Sequence, residues 1–300
     1  MTISAKVIAY SVSEHSKSLI TLQLRYPKFI HGEFMTHRVF SRNASSSRAI
    51  PVERLIKDVI DDPVYPSFWG KNQPGMQAKE ECNERIRTWG DPPEPEGFSW
   101  NREEAWDAAR RNAITMAQAF AKAGYHKQIV NRLIEPFCHI NVVVTATEWD
   151  NFFLLRCHSD AQPEMKKLAD CMLHAILDSR PVKLEPGQWH LPYITEQDQA
   201  LGLSSDPINL SIRVSVARCA RVSYLTQEGK PPNIEDDLKL YDRLVGSTPI
   251  HASPTEHQAT PDEYWRNEDT GIVSQVWQRP DLHGNLKGWI QYRKQLEQIL

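Results

Sequence analysis

The fold is restricted most by two strand-like segments that lie far apart in the chain. Residues 19–25 alternate apolar and polar side chains, with Ile20, Leu22 and Leu24 on one face of a half-buried strand. Residues 140–145 form a β-branched run that is typical of a strand or an extended segment. Helical patterns fill much of the remaining sequence. We therefore expect an α+β fold in which helices flank a mostly antiparallel sheet and outnumber its strands.

The clearest helix begins at Asn101, which has capping-box spacing with Glu104, and ends near Gly124. One face of this helix is marked by Trp106, Ala109, Ala113, Met116, Ala117 and Phe120. Apolar spacing, proline positions and caps predict further helices at 51–63, 126–135, 148–156, 163–179, around 208–219, and at 233–246.

The composition excludes several classes of protein. Hydrophobic residues make up 40% of the chain and charged residues 24%, which is typical of a globular protein. No run approaches the roughly 18 apolar residues that span a bilayer, and the N-terminus lacks the apolar segment of a signal peptide. We expect a cytoplasmic protein without a membrane partner. Because the formal net charge is −3, a nucleic acid polymer is not an expected partner either, and any nucleotide must be held by local arginines.

The cysteines and histidines give little sign of a metal or disulfide site. Five cysteines are scattered, without a C-x-x-C pair, so neither a disulfide framework nor a zinc site is expected. His251 and His257 are six residues apart with no third ligand in view, so we predict no metal. Cys138 is followed by His139, but a small buried residue is a more common role for it than a nucleophile.

Residues 63–100 are dense in proline, glycine, tryptophan and charged side chains. This composition predicts an ordered surface insertion or a lid. A substrate lid and an intersubunit contact would have the same composition, so both stay open. Trp69 and Trp89 could stack on a substrate ring, although structural packing is the more common role.

The densest chemical signal is the segment from Thr36 to Arg48, which we call the motif segment. It holds three arginines, one histidine and four serines, and it follows a predicted strand. Guanidinium and hydroxyl donors on a loop are what the binding of a phosphate and a polar heterocycle requires. A solvated loop rich in serine and arginine would have the same composition.

Two more blocks carry residues of the same kind. In the first, Arg132 precedes Pro136, and residues 151–156 (Asn-Phe-Phe-Leu-Leu-Arg) lead into residues 161–165 (Ala-Gln-Pro-Glu-Met). In the second, residues 219–224 (Cys-Ala-Arg-Val-Ser-Tyr) precede a helix and then residues 251–257 (His-Ala-Ser-Pro-Thr-Glu-His). Seen alone, the arginines of the first block would most often be solvated residues at helix ends.

Together the three blocks resemble the signature of the flavin-dependent thymidylate synthase family. The motif segment matches at His37, Arg38, Ser41, Asn43, Ser46 and Arg48. In that family the block with Ala-Arg-Val-Ser-Tyr precedes the motif segment, whereas here it lies near the C-terminus. The resemblance therefore implies one catalytic domain over residues 1–300 with a circular permutation, in which 206–257 is the permuted segment.

The resemblance implies an enzyme that binds FAD and methylates dUMP to dTMP, with methylenetetrahydrofolate and NADPH as co-substrates. Arg156 would be the catalytic residue, because a guanidinium can stabilise negative charge on the uracil ring. The residues expected to bind the substrate are Glu33, Thr36, Ala44, Ser45, Ser46, Ser47, Arg48 and Arg132. Those expected around the flavin are His37, Arg38, Asn151, Ser223, His251, Ser253 and Glu256. Family enzymes are homotetramers with shared active sites, so we expect the same assembly here.

Several residues depart from the family pattern. Thr36 and Thr147 stand where arginines are usual, Glu33 replaces a glutamine, Ala44 an acidic residue, and Asp160 a histidine of some members. Residues 289–294 could return a glutamine, Gln291, and an arginine, Arg293, to the site, although a solvated terminal helix is the alternative. The substituted pocket leaves two other functions open. One is a hydroxymethylase that yields 5-hydroxymethyl-dUMP, and the other is a flavin- or nucleotide-binding homologue without turnover.

Overall fold

The computed structural model describes residues 1–88, 98–195, 198, 207–222, 233–247, 249–267 and 274–299. The expected flavin contact Ser223 and the tryptophan Trp89 lie outside these residues. The strands are β1 (Ser4–Val12), β2 (Leu19–Pro27), β3 (Ser41–Ala44), β4 (Ile86–Thr88), β5 (Phe98–Trp100), β6 (His139–Ala146), β7 (Val182–Lys183), β8 (Ala259–Pro261), β9 (Tyr264–Asn267), β10 (Ser274–Trp277) and β11 (Trp289–Gln291). The α-helices are α1 (His31–Phe34), α2 (Val52–Asp61), α3 (Arg102–Lys122), α4 (Lys127–Val130), α5 (Asp150–Arg156), α6 (Pro163–Leu177), α7 (Pro207–Arg221), α8 (Ile234–Val245) and α9 (Tyr292–Ile299).

A five-stranded sheet in the order β3-β6-β2-β1-β7 lies at the centre of the described structure. The first four strands pair antiparallel, and β7 pairs parallel with β1. The predicted α+β class and the mostly antiparallel sheet are therefore confirmed. The serine-rich run from Phe40 to Arg48 was expected to be a loop. Ser41–Ala44 instead pairs with β6 and forms an edge strand.

One face of the sheet packs against the helices that follow β6. Leu22 and Leu24 of β2 join Phe152 of α5 and Met165 and Leu168 of α6 in a continuous apolar core. The apolar alternation in β2 and β6 explains this face, because side chains two residues apart point to the same side of a strand. The packing fixes α5, and with it Arg156, against the sheet.

The other face of the sheet is also covered, so β2 is more deeply buried than the half-buried strand that its alternation predicts. A buried hydrogen-bond chain crosses this face, in which Thr21 Oγ1 contacts both Thr145 Oγ1 and His190 Nε2 at 2.7 Å. The Thr145 hydroxyl in turn lies 2.8 Å from His257 Nδ1. Burial lowers the pKa of both His190 and His257 to about 3, which keeps both rings neutral.

Local sequence signals predicted both ends of α3. Asn101 caps α3, accepting from the Glu104 backbone N–H at 2.8 Å, and Gly124 follows with a φ of +88°. The predicted inward face of α3 is wrong at Ala109 and Met116, which are exposed, whereas Ile114 is buried. The expected helix at 126–135 is instead the short α4 followed by a 3₁₀ helix, Asn131–Phe137, that contains Pro136.

Beyond β7 the described residues add two short two-stranded pairs, β8 with β11 and β9 with β10. The described residues form eleven strands, nine α-helices and four 3₁₀ helices, so helical segments outnumber strands, as the sequence predicts. Short strands without a long alternating pattern give too little local signal to be predicted.

Helices α7 and α8 are joined by a buried ionic cluster. Arg218 of α7 bonds Asp237 of α8 at 3.0 Å and Asp198 at 2.6 Å. Arg218 and Asp237 are almost completely buried, so their charges depend on the ion pairs of this cluster for compensation. Among the described helices, none combines the length and apolarity that a membrane crossing requires.

The described part of the 63–100 segment lies against α3 and α6. The Trp69 ring contacts the Trp106 ring edge-on at 5.9 Å, and the Ser67 backbone N–H donates to the buried carboxylate of Glu164. In this arrangement Trp69 packs against Trp106 and stays partly exposed.

Candidate functional site

A cleft of about 750 Å³ opens between the end of β3, helix α2 and the C-terminal end of α7. It is lined by residues that are distant in sequence. Those predicted as site residues are Ala44, Ser45, Ser46, Arg48, His251 and Ser253. The cleft thus unites the motif segment with the block at 251–257.

The turn after β3 is held by backbone and amide hydrogen bonds. The Ser45 N–H donates to Asn141 O at 2.8 Å, and the Asn141 N–H donates back to Ser45 Oγ at 3.1 Å. The buried amide of Asn131 donates to Ser47 O at 2.6 Å and to Ile50 O at 3.0 Å. A serine-rich turn with a fixed backbone leaves the Ser46 hydroxyl and the Arg48 side chain exposed at the cleft.

The block near the C-terminus packs directly on the motif segment. Asn43 Nδ2 donates to Cys219 O at 2.8 Å, and the Ser253 hydroxyl donates to Asn43 Oδ1 at 2.9 Å. Asn43 therefore links the motif segment to both parts of the block.

The cleft carries more positive than negative side chains. Arg25 bonds Asp58 at 2.9 Å, Lys57 pairs with Asp61, and Arg221 pairs with the buried Asp237. Arg48 and Arg54 also line the cleft, and their guanidinium groups have no hydrogen-bond or ion-pair partner among the described residues. A cleft lined by two such guanidinium groups and by serine residues is suited to a phosphate.

A second group of predicted residues lies where α1 meets α5. Arg156 Nε donates to His37 Nε2 at 2.9 Å, and Arg156 Nη2 reaches Thr36 Oγ1 at 3.5 Å. Burial, followed by the charges of Arg156 and Arg42, lowers the pKa of His37 to about 4. His37 is therefore a neutral acceptor that orients the Arg156 guanidinium. Neither His37 nor Arg156 lines the cleft of this single chain.

The remaining predicted residues fall into three groups: residues bonded within the protein, an exposed arginine outside the cleft, and exposed residues with no hydrogen-bond partner among the described residues. The Glu33 carbonyl accepts from the Thr36 hydroxyl at 2.7 Å, and Ser47 donates to Glu135 at 2.9 Å. Arg132 has a side chain that is 65% exposed, 3.9 Å from Glu135 and outside the cleft. Arg38 and Asn151 are exposed and have no hydrogen-bond partner among the described residues.

Glu256 lies near the outer edge of β3. Burial raises the pKa of its carboxyl, while the nearby charges of Arg293, Lys294 and Arg42 act in the opposite direction. Arg293 itself bonds Glu297 at 2.9 Å and does not line the cleft.

Sequence reasoning gave no site role to many of the residues that line the cleft, among them Arg25, Arg54, Asn141 and Arg221. Arg54 had an available signal, because it lies one turn into the helix that directly follows the motif segment. Arg221 had one as well, because it stands in the block at 219–224 that resembles the family, whereas Arg25 and Asn141 had none, since their approach depends on strand pairing.

The wall of the cleft contains a strained backbone position. Val222, at the cleft wall, has a φ of +59°, which is strained for a β-branched residue and marks a backbone held by its surroundings.

Burial raises the pKa of the Cys138 thiol to about 12, and its Sγ donates to Ile134 O. Within the described ranges, no three side chains of His, Cys, Asp or Glu come together as a metal site.

Comparison with known proteins gives a family and two similar structures. The family described as thymidylate synthase complementing protein matches residues 5–182, which is more than half of the chain. The crystal structure of a UMP/dUMP methylase, PolB from Streptomyces cacaoi bound with 5-Br dUMP, is similar with 15% identity and a TM-score of 0.38, covering 59% of this chain and 90% of that chain. The same enzyme bound with 5-Br UMP gives 17% identity and a TM-score of 0.39, covering 58% and 88%. No curated protein sequence matches the chain. Because the family match spans residues 5–182 and contains the motif segment, the chain belongs to the thymidylate synthase complementing protein family, the flavin-dependent thymidylate synthases.

Proposed function

We propose that this protein methylates dUMP to dTMP, using methylenetetrahydrofolate as the one-carbon donor, NADPH as the reductant and bound FAD. The observation that carries the proposal is the basic cleft, where Ser46 and Arg48 of the motif segment meet His251 and Ser253 from the far end of the chain. Family membership supplies the reaction class.

The phosphate of dUMP would bind between Arg48 and Arg54. Both guanidinium groups line the cleft without a partner among the described residues, and the exposed Ser46 residue lines the same cleft. A phosphate dianion gains charge-assisted hydrogen bonds from such a pair. The proposed substrate-binding set also contains Glu33, Thr36, Ala44, Ser45, Ser47 and Arg132.

Arg156 would act on the uracil ring. Its bond to the neutral His37 fixes the direction of the guanidinium without neutralising its charge, because His37 is an uncharged acceptor. A fixed positive charge beside the ring stabilises negative charge that develops during carbon–carbon bond formation.

The residues present suit FAD in their chemical type. Arg38 offers an exposed guanidinium to a diphosphate, and Asn151 offers a free amide from the first turn of α5. We propose that they hold FAD together with His37, Ser223, His251, Ser253 and Glu256. When bound, FAD supplies the reducing chemistry that the side chains of the protein lack.

We propose a homotetramer with shared active sites. Arg132 and Arg156 lie outside the cleft of their own chain, so another subunit would have to bring them to it. On α5, Leu154 is 75% exposed and Leu155 is 50% exposed next to Arg156, an apolar surface that assembly would cover.

We also propose that residues 1–300 form one catalytic domain with 63–100 as an insertion and 206–257 as the permuted segment. The bonds that join Asn43 to Cys219 and Ser253 support the permutation, since they connect blocks that are consecutive in the family but reversed here.

Mixing two inactive variants tests the shared site. Arg48→Ala and Arg156→Ala proteins are prepared separately, mixed under conditions of subunit exchange, and assayed for dTMP formation. If a cleft takes its Arg156 from another chain, mixed tetramers contain some intact sites and regain part of the activity. No recovery, with exchange verified by mass, would place both residues in the same chain's site.

A further inference from the structure

We propose that Asn285 and Gln291 are positioning residues that hold the motif segment in its binding conformation. They belong to residues 283–291, which we call the C-terminal latch. The latch lies outside residues 5–182, the part of the chain that matches the family. The inference rests on the proposed function, because it assigns the latch a role in nucleotide binding.

The latch contacts the motif segment through side-chain amides. Asn285 Nδ2 donates to Val39 O at 2.9 Å, and the Ser41 hydroxyl lies 3.1 Å from Asn285 Oδ1. Gln291 Nε2 donates to Ser41 Oγ at 3.3 Å and to Glu256 O at 3.0 Å. These bonds fix the backbone where the chain enters β3.

The latch can position other residues because it is itself well anchored. Its strand β11 pairs with β8, and the Trp289 side chain is fully buried beside Leu19 and Leu286. Trp289 Nε1 also donates to Lys17 O at 2.8 Å. The latch is thereby joined to the turn between β1 and β2.

The same latch reaches the residues that precede α5. The Lys287 backbone N–H donates to Thr147 Oγ1 at 3.2 Å, and Lys287 Nζ lies 2.8 Å from a Glu148 carboxylate oxygen. Thr147 and Glu148 lead directly into the helix that carries Asn151 and Arg156. One short segment therefore contacts both blocks of proposed site residues.

Gln291 acts through Ser41 rather than on a ligand. Only 2% of the residue is exposed, and its amide nitrogen is occupied by protein acceptors. The space around it is also fixed, since a Cβ on Gly284 would lie 2.6 Å from Gln291 Oε1. Gln291, which the sequence offered as a residue of the site, thus supports the motif segment through Ser41.

Gln291→Met and Asn285→Ala test the inference, with Gln298→Met as the matched control. Gln298 contacts Arg279 and Asp281 on α9's exposed side, away from the motif segment. Two quantities are measured in fully folded protein: the Kd of dUMP by calorimetry and the hydrogen exchange of backbone amides 39–44. We expect dUMP to bind roughly 3- to 10-fold more weakly to the latch variants, the loss that one neutral hydrogen bond represents. Exchange at 39–44 should be faster, and the control should change neither quantity.

A double-mutant cycle with Ser41→Ala separates positioning from general destabilisation. If Gln291 acts through Ser41, adding Gln291→Met to Ser41→Ala weakens dUMP binding less than it does in the wild type. Fully additive losses, or unchanged affinity and exchange in both latch variants, would overturn the inference. Should Gln291→Met fail to fold, Asn285→Ala carries the same test at a partly exposed position. A wild type that binds no dUMP would refute the proposed function, and amide exchange would then decide the latch on its own.

Discussion

Arg156 Nε donates a hydrogen bond to His37 Nε2 over 2.9 Å and so joins two blocks that are separated by more than one hundred residues. His37 accepts this bond only as a neutral ring. Burial and the charges of Arg156 and Arg42 keep it neutral by lowering its pKa to about 4. The pair thus presents one fixed positive charge.

Replacing Arg156 should remove turnover while leaving the fold intact. Because a preorganised charge at a reacting ring contributes about 10²–10³ in rate, we expect Arg156→Ala to lower kcat by that order. Arg156→Lys should restore little, since an ammonium lacks the planar guanidinium that binds His37 through Nε. Initial rates of dTMP formation measure both. Arg111→Ala, at an exposed residue of α3, is the control, and an Arg156→Ala enzyme with wild-type kcat would refute the assignment.

His37 should make the protein less stable as the pH falls. Its pKa is lowered from 6.5 to about 4 in the folded state, so the unfolded state binds the proton first. The stabilisation is therefore complete above about pH 6.5 and is lost as the pH falls towards 4. Urea unfolding at several pH values gives the free energy of unfolding as a function of pH. This free energy should fall less steeply with falling pH in His37→Gln than in the wild type. Equal slopes would mean that His37 titrates normally.

Arg54 should contribute to phosphate binding although it lies outside the motif segment. We expect Arg54→Gln to weaken dUMP binding roughly tenfold, the cost of losing a charge-assisted hydrogen bond, and to leave deoxyuridine binding unchanged. Calorimetry with both ligands at two salt concentrations measures this difference. Arg111→Gln is a charge-matched control. An equal loss for deoxyuridine would show that Arg54 acts on the fold or on the base instead.

The ionic cluster between α7 and α8 should stabilise the fold around the cleft wall. Asp237→Ala leaves Arg218 partly uncompensated in a buried position and should lower the free energy of unfolding by about 3–5 kcal/mol. Asp242→Ala breaks an exposed pair with Arg213 and should cost less than about 1 kcal/mol. Chemical denaturation compares the two variants, and similar losses would contradict the distinction between buried and exposed pairs.

Local patterns in the sequence predicted much of the scaffold. The β-branched run at 140–145 lies within β6, and the capping box at Asn101 begins α3, because both signals depend only on neighbouring residues. The alternation at 19–25 predicted β2 but not the covering of its second face. That covering comes from residues more than 100 positions further along the chain, among them His190 and His257.

The candidate site was predictable in its motif residues and not in its surroundings. Ser46, Arg48, His251 and Ser253 were expected from the resemblance to the family and lie in one cleft. The β3 pairing was missed because the sequence Ser-Arg-Asn-Ala has no apolar alternation, so its strand character depends on β6. The neutral state of His37 could not be predicted either, since it depends on burial and on charges brought by the fold.

The most direct test of the central claim is anaerobic turnover of the purified protein with FAD, NADPH, methylenetetrahydrofolate and dUMP, followed by mass spectrometry of the nucleotide. Flavin absorbance is recorded in the same reaction. We predict that the nucleotide gains mass equal to conversion of its C5 hydrogen to a methyl group. A gain that corresponds to a hydroxymethyl group, or flavin binding with unchanged dUMP, would contradict thymidylate synthesis and favour a hydroxymethylase or a binding protein without turnover.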